Sequence, residues 1–130
     1  MDSTTEYNVW FGSLTNDEQD RIVAAVRILR QDGPALERPL VDHIKMSRHA
    51  NMKELRVRYM RILFAFDPNQ QAILLIGSNK AGKWDRWYDE YVPEADRLFN
   101  LHLEKIRETA KGAKDATHIQ RDRRRDRGKP

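Results

Sequence analysis

Residues 52–83 alternate apolar and polar positions in a way that predicts a three-stranded antiparallel meander. The first two strand-like segments, ELRVR and MRILFAF, are joined at Arg58-Tyr59, which sets the register of the hairpin between them. In that register the apolar side chains of both segments share one face of the predicted sheet: Leu55 opposite Ile62, Val57 opposite Met60, then Phe64 and Phe66.

The other face of the same hairpin carries two arginines, because the register places Arg56 directly opposite Arg61. Like charges in that position destabilise a sheet, by an amount of the order of the ~0.2–1 kcal/mol typical of cross-strand pairs. An anionic ligand between the two would explain the arrangement. The alternative is a solvated polar face with scattered basic residues. Residues 45–61 contain six Lys or Arg and one acid, which favours the ligand.

A second hairpin is predicted to turn at residues 68–71, where Asp67 and Pro68 are turn signals. With Asp67 opposite Ala72, the register predicts three further pairs: Phe66 with Ile73, Phe64 with Leu75, and Arg61 with Ser78. Two residues beyond Ser78, Lys80 falls on the face of the two arginines. Three cations from three strands are therefore expected to converge, with Arg58 and Lys83 at the rim.

The segments around the meander predict two helices and one further strand. Residues 7–11 form a short aromatic run, which we interpret as a first strand at a sheet edge. Thr15 and Glu18 have the spacing of a capping box, and the apolar spacing after them predicts a helix over residues 15–31. Residues 34–51 are compatible with either a short helix or an extended segment.

Pro93 suits the first position of a new helix, and the apolar stripe that follows predicts a helix over residues 93–109. Trp84 and Tyr88 precede that helix and could stack on nucleic-acid bases, or they could be core anchors. His43 and His49 are too far apart for a helical metal pair and have no acidic or cysteine cluster beside them, so no metal site is predicted.

Composition predicts one domain with a basic tail. The 130 residues contain no cysteine, which is typical of a reducing cytoplasm, and no apolar run long enough for a membrane span. Residues 111–130 carry eight Lys or Arg against three Asp, whereas residues 1–110 carry 16 against 17. We expect a domain over residues 1–110 and a disordered tail over residues 111–130. The tail could add affinity for RNA or the ribosome, or could only keep the protein soluble.

The order of these elements resembles the RelE/ParE toxin superfamily, and four phrases resemble its HigB-like branch: RPLVDHIK, MKELRVRYMRILFAFDP, ILLIGSNKAGKWDRWYDE and VPEADRLFNLHL. The resemblance covers about residues 7–108. It implies an α+β fold, in which N-terminal and C-terminal helices pack on a small antiparallel sheet of three or four strands, with the helices on one side. It also implies a toxin of a type II toxin–antitoxin module that cleaves ribosome-bound mRNA without a metal or other cofactor. The implied partners are a helix-turn-helix antitoxin, mRNA and the ribosome.

Residue by residue, the resemblance places Arg61 where the family's strand arginine contacts the scissile phosphate, and Arg56 on the arginine of the ELR phrase. It assigns further catalytic roles to the basic residues of the following turn, Lys80 and Lys83. Substrate contacts are expected from Arg58, Lys53, Trp84 and Tyr88, and Tyr88 is also a candidate for proton transfer.

Two departures from RelE leave other functions open. RelE has lysines two and four residues before its equivalent of Arg56, where this chain has Glu54 and Met52. Lys53 does not replace them, because strand alternation places its side chain on the face opposite to that of Arg56. Glu54 is itself a candidate base, or the ion-pair partner of an arginine. The alternatives are a ParE-type toxin that inhibits gyrase and a catalytically degenerate binding module.

Overall fold

The computed structural model describes the backbone of residues 1–80 and 84–126, and side chains for residues 1–80 and 86–112. Within these residues, five strands form one sheet in the order β1-β5-β4-β3-β2. The strands are β1 Asp2–Ser3, β2 Val41–His43, β3 Met52–Val57, β4 Met60–Phe66 and β5 Ala72–Asn79. The helices are α1 Thr5–Gly12, α2 Asn16–Asp32 and α3 Trp84–Asp126, and a 3₁₀ turn, Gly33–Ala35, follows α2.

The predicted α+β class is confirmed, but the sheet has one strand more than expected and is mixed. Strand β1 runs parallel to β5, with Asp2 beside Ile73 and Ser3 beside Leu74. The other strand pairs are antiparallel. A strand of two residues has no detectable alternation, which is why the pattern could not indicate β1. The undecided segment of residues 34–51 supplies β2 at the opposite edge of the sheet.

The first hairpin has the predicted register, with Leu55 opposite Ile62 and Arg56 opposite Arg61. The second hairpin was predicted correctly only at its far end, where Arg61 lies opposite Ser78. An irregularity between Leu63 and Phe64 shifts the rest by one residue, so Phe64 faces Leu74 and Phe66 faces Ala72. The predicted pairs of Phe66 with Ile73 and Phe64 with Leu75 are therefore wrong.

The aromatic run of residues 7–11 forms helix α1 rather than the predicted edge strand. Thr4 caps this helix, and its side-chain oxygen accepts a hydrogen bond from the backbone N–H of Tyr7. The apolar residues of the segment recur at helical spacing and pack on the main core: Tyr7, Trp10, Phe11 and Leu14. Burial of this stripe outweighs the preference of aromatic residues for strands.

Helix α2 begins as predicted, with Thr15 and Glu18 bonded to each other as a capping box. We expect Thr15→Ala to lower the free energy of unfolding by about 0.5–2 kcal/mol, because the Glu18 amide loses its acceptor. Urea denaturation measures this loss, and Gln31→Ala, at an exposed position of the same helix, is the matched control. Equal stabilities of the two variants would contradict a role for the cap.

Helix α3 begins at Trp84, nine residues before the predicted start, and contains Pro93. Proline in a helix removes one backbone hydrogen bond and costs about 3 kcal/mol. The residues before and after it nevertheless share one buried stripe, in which Trp87, Val92 and Ala95 are almost completely inaccessible to solvent. Burial of that stripe explains why the helix continues through the proline.

The backbone of α3 is helical as far as Asp126, and the compact unit formed by the sheet ends at Phe99. The expected domain end at residue 110 and the expected disorder of the basic tail over residues 111–130 stay predictions. Residues 127–130 lie outside the described part of the chain. No helix among the described residues has the length and apolar character needed to cross a membrane.

The two faces of the sheet have different neighbours. Helices α1 and α2 cover the face that carries Leu55, Ile62 and Phe64. Strand β4 is buried on its other face as well, where Tyr88 of α3 donates a hydrogen bond to Glu54. The helices thus lie on both sides of the sheet, rather than on one side as the resemblance implied. The two arginines lie on the α3 side.

Candidate functional site

A buried carboxylate lies between the two opposing arginines. Glu54 precedes Arg56 by two residues on β3, so both side chains project from the same face. The Glu54 side chain is 1% exposed, and its Oε1 lies 2.7 Å from Arg56 Nε and 3.7 Å from Arg61 Nε. The like-charge pair that the sequence predicted is therefore neutralised in part by the protein's own acid.

Arg56 is the more accessible of the two arginines, with 36% of its side chain exposed. Its Nε donates to Glu54, which raises the pKa of Arg56, and its Nη2 donates to Asp42 Oδ2 at 3.1 Å. A hydrogen bond from Arg38 to the same carboxylate oxygen lowers the pKa of Asp42. Two carboxylates thus hold a permanently charged guanidinium at a partly open position.

Arg61 is 10% exposed and is fixed mainly by the backbone of the hairpin turn. Its Nη1 donates to the carbonyl oxygens of Arg58 and Met60, the latter at 2.9 Å. These contacts hold the guanidinium under the turn. Arg61 therefore contributes positive charge from below the surface, while Arg56 presents its charge closer to solvent.

Lys80 and Tyr88 complete the cluster. Lys80 directly follows β5 and is 6% exposed. Its Nζ donates to Tyr88 Oη at 2.7 Å, and the Tyr88 hydroxyl donates to Glu54 Oε1 at 3.0 Å. Burial lowers the pKa of Lys80 and raises the pKa of Tyr88 to about 12, to which the hydrogen bond to Glu54 also contributes. We call the five residues Glu54, Arg56, Arg61, Lys80 and Tyr88 the cationic cluster.

An open cavity of about 250 Å³ adjoins the cationic cluster. Glu54, Arg56 and Tyr88 line it on one side, and residues 42–46 line it on the other. A larger groove of about 470 Å³ lies between the N-terminus, α1 and α2, away from the cationic cluster. The smaller cavity is where an anionic group would meet Arg56 and the tyrosine hydroxyl.

The predicted site residues whose side chains are described divide into three groups. Arg56, Arg61, Lys80 and Tyr88 meet in the cationic cluster. Arg58 is exposed in the hairpin turn, where its backbone has a positive φ of 56°, and its place at the rim stays a prediction. Lys53 lies on the opposite face, with its ammonium 5.4 Å from the centre of the Phe66 ring, so the structure does not bring it to the cluster.

The remaining predicted residues are Trp84 and Lys83. Trp84 is the first residue of α3, and its side chain is not among those described, whereas Lys83 lies wholly outside the described residues. Their roles stay predictions. Among the described residues, no three histidine, cysteine or acidic side chains lie close enough together to hold a metal ion. His49 instead packs against the ring of Phe99.

Sequence reasoning missed Asp42 and underweighted Glu54. Strand alternation predicts that Glu54 lies on the same face as Arg56, two residues away. The sequence pattern did not predict that the Glu54 side chain would be completely buried. Asp42 lies on β2, in the segment whose structure the pattern left undecided. Its contact with Arg56 spans 14 residues, and only the pairing of β2 with β3 reveals it.

Comparison with known protein families identifies this scaffold. The family model described as "Phage derived protein Gp49-like (DUF891)" matches residues 9–100, which include the α2 helix, strands β2 to β5 and the start of α3. The chain belongs to the Gp49-like family. Among the residues that this match covers are all members of the cationic cluster.

Two named relatives of this Gp49-like chain come from Mycobacterium tuberculosis strain H37Rv. "Putative toxin HigB2" is 46% identical over 107 residues, a match that covers 78% of this chain and 53% of that protein. "Putative toxin HigB3" is 50% identical over 90 residues, covering 68% of this chain and 79% of that protein. The chain thus spans about half the length of HigB2. These matches place it in the HigB-like branch that the sequence phrases indicated.

A solved structure has the same fold at low sequence identity. It is the RelB-RelE antitoxin–toxin complex from Methanococcus jannaschii, in which one chain aligns with a TM-score of 0.54 and 11% identity. The alignment covers 67% of this Gp49-like chain and 99% of that chain. At this identity the likeness supports the RelE-type fold alone.

Proposed function

We propose that this protein is the toxin of a type II toxin–antitoxin module and acts as a metal-independent mRNA endoribonuclease that inhibits translation and growth. The observation that carries the proposal is the convergence of Arg56, Arg61 and Lys80 around one buried carboxylate and one tyrosine hydroxyl. The homologues named as HigB toxins and the RelE-type fold support the same function.

The reaction is attack of an RNA 2′-hydroxyl on the adjacent phosphate, with loss of the 5′-oxygen. Negative charge grows on the phosphate oxygens as the bond forms, and fixed cations stabilise it without reorganising. Arg56 is suited to contact those oxygens, because a guanidinium donates two parallel hydrogen bonds to a phosphate. Arg61 adds charge from beneath, and Lys80 supplies the proton that the departing 5′-oxygen needs.

The proposed partners follow from the relatives. The RelE-type neighbour was solved with its RelB antitoxin, so we propose that this chain also binds a cognate antitoxin. The resemblance to HigB-like toxins favours an antitoxin of the helix-turn-helix type. The proposed substrate is mRNA on the ribosome, which places the protein in the cytoplasm. Arg58 at the rim of the cluster would contact the RNA backbone beyond the scissile phosphate.

Expression of the chain in bacteria without an antitoxin tests this function. We expect growth arrest, loss of protein synthesis and 5′ ends mapped inside translated mRNAs. Gyrase-dependent DNA damage with intact mRNA would instead identify a ParE-type toxin. Harmless expression of folded protein would identify a binding module, for which the acid Glu54 at a lysine position of RelE is the observation in favour.

The role of Lys80 predicts an alkaline limit to cleavage. Burial disfavours the ammonium form, so the pKa of Lys80 is lowered and its proton leaves at a lower pH than that of an exposed lysine. If that proton is transferred to the leaving group, kcat should fall as pH rises through this lowered value. The measurement is the pH dependence of single-turnover cleavage, and a rate that stays constant up to pH 10.5, the ordinary lysine value, would contradict the role.

A further inference from the structure

The hydrogen bonds of the cationic cluster run in one direction, from Lys80 through Tyr88 to Glu54. Lys80 Nζ donates to Tyr88 Oη at 2.7 Å, and the Tyr88 hydroxyl donates its own proton to Glu54 Oε1 at 3.0 Å. A phenol oxygen has two acceptor positions, so one remains for a substrate hydroxyl after Lys80 has taken the other. The chain of contacts therefore leads from the open cavity to a buried acid.

Glu54 has unused capacity to accept a proton. Its side chain is 1% exposed, and its Oε2 has no hydrogen-bond partner among the described residues. A buried carboxylate oxygen without a partner is costly, and such a group calls for an explanation beyond packing. An ion pair with Arg56 alone would be satisfied through Oε1.

Tyr88 is a poor base by itself. Its pKa is raised to about 12 by burial and by the hydrogen bond to Glu54. At pH 7 only about one molecule in 10⁵ would carry a tyrosinate, from the five-unit difference. A neutral tyrosine can still accept a proton from a substrate hydroxyl if it passes its own proton onward at the same time.

We propose that Glu54 is a positioning residue that orients the Tyr88 hydroxyl and receives the proton which Tyr88 relays from the RNA 2′-hydroxyl. The proposal rests on the proposed nuclease function and specifies its general base. Tyr88 contacts the substrate and is the catalytic residue, whereas Glu54 acts through it.

Two proton transfers accompany the attack of the 2′-oxygen on phosphorus. The 2′-O–H bond breaks and its proton moves to Tyr88 Oη, while the original Tyr88 proton moves to Glu54. The 2′-oxygen forms a bond to phosphorus, and the bond from phosphorus to the 5′-oxygen breaks with its electron pair on that oxygen. Lys80 gives the 5′-oxygen a proton. Glu54 then loses its proton and Lys80 regains one by exchange with water, leaving a 2′,3′-cyclic phosphate and a 5′-hydroxyl.

The charged groups around Glu54 come from every strand and helix that faces it. Arg56 contacts it from its own strand, Arg61 from β4, and Lys80 reaches it through Tyr88 of α3. Asp42 of β2 lies directly opposite Glu54 in the strand register and also accepts a hydrogen bond from Arg56. Glu54 thus lies where contacts from β3, β4 and α3 meet, next to the hydroxyl whose proton it would receive.

The test is single-turnover cleavage of an mRNA on purified ribosomes by the full chain and by two variants. Glu54→Gln preserves the acceptor for Tyr88 and Arg56 but does not take up a proton. Tyr88→Phe preserves the ring and removes the hydroxyl. We expect each to lower the single-turnover rate constant at saturating toxin by about 10²–10⁴-fold, with little change in the toxin concentration that gives half the maximal rate. The double variant should be no slower than the slower single variant.

The possible outcomes distinguish a structural role of Glu54, failure of the proton relay and failure of the proposed nuclease function. Multiplied effects in the double variant would show that Glu54 has only a structural role. Thermal unfolding of each variant separates a slow enzyme from an unfolded one. If Glu54→Gln does not fold, Glu54→Asp takes its place, because it keeps an acid in the site but withdraws it from the Tyr88 hydroxyl; cleavage by folded Glu54→Asp at the wild-type rate would contradict the relay. Cleavage by Glu54→Gln within about threefold of the wild type contradicts the relay alone. A wild-type chain that leaves mRNA intact contradicts the proposed function and the relay together.

Discussion

Replacing Arg56 with alanine is expected to slow mRNA cleavage by about 10²–10³-fold, the effect typical of removing one donor that stabilises charge in the transition state. Arg56 is the arginine that two carboxylates hold at the edge of the open cavity. Because 36% of its side chain is exposed, the variant should retain the wild-type fold and its affinity for the antitoxin. The measurements are the single-turnover cleavage rate and growth arrest on expression.

Two other variants serve as a control and as a second test of the cluster. Arg107→Ala removes the same charge from an exposed position of α3 and should cleave at the wild-type rate. Arg61→Ala should also lose toxicity, but it leaves the carbonyls of Arg58 and Met60 without their donor. We therefore expect it to lose about 1–3 kcal/mol of stability as well. Arg56→Ala also costs stability, because it removes a cation from the buried carboxylate of Glu54, so the thermal unfolding of both variants is measured beside their cleavage rates. Undiminished toxicity of Arg56→Ala and Arg61→Ala would contradict the assignment of the cluster.

Gly77→Ala is expected to lower the free energy of unfolding by about 1–3 kcal/mol, the range for overpacking a core. Gly77 lies opposite Ile62 on the face covered by helices α1 and α2. A Cβ atom there would lie 2.2 Å from Cε3 of the Trp10 ring, closer than any real contact. The ring is part of the packed α1 helix, so it cannot move away without loss of other contacts. Urea denaturation measures the change.

Gly12→Ala is the matched control, because a Cβ atom at Gly12 would have no neighbour within 4 Å. This control should be neutral or slightly stabilising, since alanine favours helices over glycine by roughly 0.5–1 kcal/mol. A double-mutant cycle with Trp10→Ala isolates the contact: Gly77→Ala should cost little once the ring is gone. An equal cost of Gly77→Ala in both backgrounds would show that the strain arises elsewhere.

Local pattern was sufficient to predict the first hairpin, because a two-residue connection leaves one register that keeps the apolar side chains together. Arg56 and Arg61 could be paired for that reason. The same logic located the start of α2, where the Thr15 and Glu18 side chains bond within one turn of helix. These features depend on residues close together in the sequence.

Features that depend on distant contacts were not predictable in the same way. Helix α1 exists because the Tyr7 side chain packs into a core built mainly from later residues. The continuation of α3 through Pro93 depends on burial of Trp87 and its neighbours. The contact of Arg56 with Asp42 depends on the pairing of β2 with β3, and the contact of Tyr88 with Glu54 depends on the position of α3; alternation specifies neither.

The irregularity in β5 allows the strand to carry one residue more than its ladder with β4 uses. Leu63 pairs with Ile76 and Phe64 with Leu74, so Leu75 has no partner in the register. The pairs on either side of Leu75 keep the alternation of an unbroken ladder, with Leu74 in the main core and Ser78 opposite Arg61. Removing Leu75 alone would therefore leave these pairs, and the side of the sheet on which Lys80 lies, unchanged. At this one position, strand β5 can change in length without disturbing the chemistry of the cluster.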